Sequence, residues 1–138
     1  MNNNKENINR EELYLFTFKI IFGCALIMYI GAMFYFSLIP GEELKDTIIP
    51  KYSIILHFME FFCLCLFSLL FISLYELKHT EYYIIGLIIF MSIITETIQI
   101  FVPGRFFSLL DVVTNLCGGL FFMIIILIIS IKNNHNDP

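Results

Sequence analysis

Residues 52–75 read YSIILHFMEFFCLCLFSLLFISLY, an apolar run broken near its start by His57 and Glu60. At 1.5 Å per residue a helix of this length crosses a hydrocarbon layer of ~30 Å. The run is too long for a barrel strand of about ten residues. Lipid offers no partner to an open backbone, so the segment is predicted as a transmembrane helix.

Three other stretches meet the same criterion: 13–39, 82–102 and 108–131. Lys19 is placed to snorkel from the first of them. Pro40-Gly41 stops the first run, and Pro50 primes the second after a charged loop over 41–51. The polar stretch 76–81 reverses the chain, Pro103-Gly104 ends the third run, and Ser108 suits the N-cap of the fourth. The expectation is an all-α, integral membrane four-helix bundle. One domain covers 13–131 between polar segments at 1–12 and 132–138. The first run is too long for a signal-peptide core and is read as a retained helix. Neither end carries a lipidation or retention signal.

Composition agrees. With 59% apolar and 14% charged residues, the chain is too greasy for an ordinary soluble domain. The net charge of −4 is spread over termini and loops without a basic cluster, so no nucleic acid is expected as partner. Cys63 and Cys65 stand about 200° apart around a helix and do not chelate together; all four cysteines read as buried inert thiols. Four spans leave both termini on one side. Lys5, Arg10, Lys19, Lys78 and Lys132 flank that side, against Lys45, Lys51 and Arg105 on the other. The positive-inside rule therefore places both termini in the cytoplasm and the 41–51 and 103–108 turns outside.

Ionisable groups within such spans are costly and mark candidate sites. His57 and Glu60 follow the second span's start, Glu96 and Gln99 precede the third span's end, and Asp111 and Asn115 open the fourth. Because the helices alternate direction, all six reach one membrane face, with Lys51 and Arg105 in the turns just above. The spacings i,i+3 and i,i+4 put each pair on one helical face, so three polar stripes converge on one pocket. Gly118 and Gly119 allow close approach of the fourth helix to a neighbour. Arg105 suits a carboxylate or a phosphate held by two parallel bonds. Gln99 and Asn115 fit helix-to-helix glue equally well. His57-x-x-Glu60 has the spacing of half a carboxylate-bridged di-iron site, but no second copy exists, so neither a metal nor another cofactor is expected. No HExxH, glycine-rich phosphate loop or Ser-His-Asp order is found.

The stretch Glu96-x-x-Gln99, Pro103-Gly104-Arg105, Asp111-x-x-x-Asn115-x-x-Gly118 resembles the signature of the VanZ-like family. His57-Phe58-Met59-Glu60 is similar to that family's His-x-x-Glu element, and Phe36-Ser37-Leu38-Ile39-Pro40 to its Ser-x-x-Pro helix end. Many members carry a Lys three residues before the His; here Ile54 stands there, and Lys51 is the nearest base. The resemblance implies a membrane protein of Gram-positive bacteria and related prokaryotes, linked to teicoplanin tolerance. The leading expectation is a cell-membrane protein that engages membrane lipid and an anionic or lipid-linked envelope molecule. Lys51, Gln99, Arg105, Asp111 and Asn115 hold that ligand, and His57, Glu60 and Glu96 form an acid/base group. The alternatives are a membrane-embedded acid/base enzyme acting on a lipid-linked substrate, and a small transporter or assembly subunit.

Overall fold

The computed structural model describes residues 2–45, 47, 52–75 and 77–136, with side chains described from Arg10 to Lys132. Lys51 and Pro50 lie outside the described residues. Five helices occur among those described: α1 (Asn2–Leu38), α2 (Gly41–Leu44), α3 (Ser53–Ser73), α4 (Thr80–Gln99) and α5 (Leu109–Asn136). Four of them are long and apolar enough to cross a membrane, over Arg10–Leu38, Ser53–Ser73, Thr80–Gln99 and Leu109–Lys132. The architecture is an all-α membrane bundle.

Local chemistry sets most boundaries. The Ser108 hydroxyl accepts the Asp111 amide at 3.2 Å, while its carbonyl accepts Val112 N–H at 3.2 Å, so Ser108 is the N-cap of α5. Helix α4 ends at Gln99, short of the apolar run's limit at Val102. Residues 100–102 continue as tight turns, with Phe101 N–H on the Ile98 carbonyl and Val102 N–H on the Gln99 carbonyl, both at 3.0 Å. Gly104 then takes φ +73°, the left-handed conformation that glycine adopts without a Cβ penalty. At the chain's ends helix extends beyond the apolar runs, to Asn2 and to Asn136. Hydrophobicity marks where lipid begins, not where the hydrogen-bond ladder stops.

Helices α3 and α5 share the longest interface, and α4 packs against both; α1 lies on α3 and α4. Met33, Phe61, Leu64, Ile84, Ile88 and Phe122 form the buried core. Large apolar residues such as Ile27, Met28 and Leu127 face outward, as lipid requires. Small residues permit the tight contacts. A Cβ at Gly118 would collide with the Phe58 carbonyl, so α3 and α5 touch backbone to backbone there. Ser92 Oγ donates to the Val112 carbonyl at 3.2 Å, and Cys65 Sγ to Gly119 O at 3.6 Å, stitching α4 and α3 to α5. At the end opposite Ser108, the Lys19 ammonium sits 4.7 Å from the Tyr75 ring centroid, a cation–π contact for the snorkelling lysine.

Candidate functional site

The N-termini of α3 and α5 and the C-termini of α1 and α4 lie together at one end of the bundle. Glycine and arginine hold this end closed. Gly41 N–H donates to the Pro103 carbonyl at 3.0 Å, tying the turn after α1 to the turn after α4. Arg105 donates from Nε to Ile39 O at 3.1 Å and from Nη2 to Phe36 O at 3.0 Å. These are carbonyls left without helical partners where α1 stops, at the negative end of its dipole, so the guanidinium is a C-terminal cap in trans. Burial pulls the Arg105 pKa below its ordinary value, while the charges of Glu96 and Asp111 push it back up. It remains a cation.

Beneath this cap the stripes of α3, α4 and α5 meet. His57 faces two carboxylates, Glu60 Oε2 at 3.8 Å from Nδ1 and Asp111 Oδ2 at 3.9 Å from Nε2. Glu96 is fully buried; its Oε1 accepts Gln99 Nε2 at 3.4 Å and its Oε2 accepts the Ser108 backbone amide at 3.3 Å. Donor atoms of His57, Glu96 and Asp111 all lie within 4.8 Å of one another. Asn115 is also fully buried and lies against the His57 ring; its amide is in polar contact with the imidazole but makes no well-aligned hydrogen bond. Every sequence-predicted site residue except Lys51, which is not among the described residues, therefore sits at this end.

Beside the cluster is a cavity of about 470 Å³ between α1 and α3. Its walls are mainly apolar, from Tyr29, Met33, Phe36, Leu56 and Met59. Its polar groups are His57, Glu60, Gln99 and Arg105. The Tyr29 hydroxyl donates to the Glu60 backbone carbonyl at 2.7 Å, fixing α1 against α3 beside the cavity. No periodicity within α1 signals that contact, because it depends on the register of two helices. The cap made by Arg105 is invisible for the same reason: its partners are 66 and 69 residues away.

A multi-pass, all-α membrane protein with a His–carboxylate cluster at one end of its bundle is the class these features define. The pattern of the VanZ/LLP1 family matches residues 3–130, and the chain belongs to that family. No curated protein and no solved structure matches it.

Proposed function

We propose that this protein binds an amphiphilic, anionic or lipid-linked molecule of the cell envelope at the outer face of the cell membrane, and so contributes to teicoplanin tolerance. The carrying observation is the cavity: apolar walls for a hydrocarbon chain, with His57, Glu60, Gln99 and Arg105 along the same lining for a head group. In this reading both termini are cytoplasmic, and Arg105 provides the fixed positive charge. Two of its nitrogens hold α1, leaving Nη1 outside those two bonds for a phosphate or carboxylate. Asp111 and Asn115 orient the group, and His57 with Glu60 or Glu96 handles a proton.

The test is teicoplanin susceptibility of a strain expressing the protein. Arg105→Gln abolishes the tolerance while the amount of protein in the membrane stays unchanged; a fully active variant overturns the reading. Orientation is tested separately by placing a cysteine at the exposed Phe106 position and labelling intact cells with a membrane-impermeant maleimide. Reaction only after permeabilisation would put the site on the wrong side.

A second reading, general acid–base catalysis on a lipid-linked substrate, is favoured by His57 standing between two carboxylates. It requires conversion of a polyprenyl-linked substrate by purified protein, lost in Glu96→Gln. Turnover of none of a panel of such substrates removes it.

A further inference from the structure

The two carboxylates that face His57 stand too far from it for hydrogen bonds. Nε2 to Asp111 Oδ2 is 3.9 Å, and the donors of His57, Glu96 and Asp111 share a space within 4.8 Å. Ligand atoms about 2.0–2.2 Å from one ion lie roughly 3–4.3 Å apart, so the observed separations approach those of a coordination shell. The surroundings match as well. His57 turns its other nitrogen toward Glu60 at 3.8 Å, the carboxylate–histidine pairing that orients a metal-bound imidazole. Both Glu96 oxygens receive weak, long bonds, from Gln99 and the Ser108 amide, which hold the carboxylate in place.

An independent observation comes from Asn115. Its amide is fully buried one helical turn after Asp111, and its contact with the His57 ring falls short of a well-aligned hydrogen bond. A buried amide normally finds a partner. A cation on the His57 side would give Oδ1 one. Charge points the same way: when ionised, Glu60, Glu96 and Asp111 outweigh Arg105 by two negative charges, which a divalent ion cancels.

We propose that His57, Glu96, Asp111 and the Asn115 amide oxygen form a binding site for one divalent first-row metal ion. One imidazole, two carboxylates and an amide oxygen, without thiolate, suit Zn²⁺ or Mn²⁺ and disfavour Cu(I). Each of α3, α4 and α5 contributes a ligand, so the ion would lock the three helices at this end. The site stands on these residues alone and does not require the lipid reading.

The experiment uses the full chain in detergent, stripped with chelator and titrated calorimetrically with Zn²⁺ and Mn²⁺, with no lipid ligand added. One equivalent of either ion is expected. Asp111→Asn and His57→Gln weaken binding on the order of 100-fold or more, and Glu60→Gln, which orients the imidazole, by about 10–100-fold. Size-exclusion profiles identify any variant that fails to fold. X-ray absorption of the Zn²⁺-loaded wild type then decides without variants, through a nitrogen–oxygen shell with an imidazole signature. Absence of saturable binding to folded wild type overturns the proposal. So does a sulfur shell, or wild-type affinity in folded Asp111→Asn, either of which moves the ion to the exposed Cys24, Cys117 or His79.

Discussion

The two ends of the bundle solve the same problem differently. Away from Ser108, Leu64, Ile84, Ile88 and Phe122 interlock, with Phe62 and Phe122 edge to face at a 5.1 Å centroid distance and 88°. Hydroxyls there are neatly satisfied, as Ser68 on the Leu64 carbonyl at 2.6 Å illustrates. At the other end His57, Glu60, Glu96, Gln99 and Asp111 meet at 3.4–3.9 Å, and Asn115 makes no well-aligned hydrogen bond. The Tyr29 hydroxyl, which holds α1 against α3 beside the cluster, makes a short bond of 2.7 Å. Only the His–carboxylate cluster is loose: the backbone contacts that frame it, from Arg105, Gly41 and Tyr29, are 2.7–3.1 Å long, while its own side chains stand farther apart. Loose, buried and charged is the signature of a site shaped around something else.

The largest effect is expected where the two ends join. Gly118 lies against the Phe58 carbonyl, so Gly118→Val drives β-branched bulk into backbone rather than into a side chain that can swing away. The loss is on the order of 4 kcal/mol or more, enough to stop folded protein from accumulating. Fluorescence-detected size exclusion of membrane extracts measures it. A monodisperse wild-type peak for the variant would mean that α3 and α5 do not touch there, and both halves of the comparison would need redrawing.

Much of this was legible beforehand. Four apolar runs dictate four helices, because lipid leaves no other way to satisfy their backbones. The spacings of His57 with Glu60, Glu96 with Gln99, and Asp111 with Asn115 gave the faces, and the turns at Pro103-Gly104 gave the common end. What stayed hidden lies between helices. Arg105 looked free to pair with an acid or a phosphate, yet two of its nitrogens reach the end of α1. Asn115 shares a helical face with Asp111, but nothing local foretells that its amide would be buried against the His57 ring without a well-aligned hydrogen bond. Such contacts depend on the relative slide of packed helices, which hydrophobic period does not encode. The four-residue helix α2 was likewise read as loop, being too short to show a period.

The next effect separates the ends. Ile84 is 1% exposed and lies 12 residues before Glu96, about 18 Å along α4. Ile84→Ala opens a cavity and costs about 3 kcal/mol of stability. Thermal unfolding in micelles registers that cost, while Zn²⁺ stoichiometry at the far cluster stays at one. Coupled loss of binding in protein that is still folded would show that the two ends are one cooperative unit.

The smallest effect has the opposite sign and cuts deepest into the comparison. Asn115→Leu replaces a buried amide that lacks a well-aligned hydrogen bond by an apolar group of similar size. A buried polar group without a good hydrogen bond costs about 1–3 kcal/mol, so in metal-free protein the substitution stabilises by about 1 kcal/mol once imperfect packing is deducted. A side chain that serves structure alone does not raise stability when removed, whereas one that serves a ligand does so in the ligand-free protein. The measurement is a pair of melting curves for each protein, one in chelator and one in excess Zn²⁺. Asn115→Leu should melt higher than wild type in chelator and gain less from Zn²⁺. If it melts lower under both conditions, Asn115 is helix glue after all, and the contrast between a tight end and a loose one loses its strongest witness.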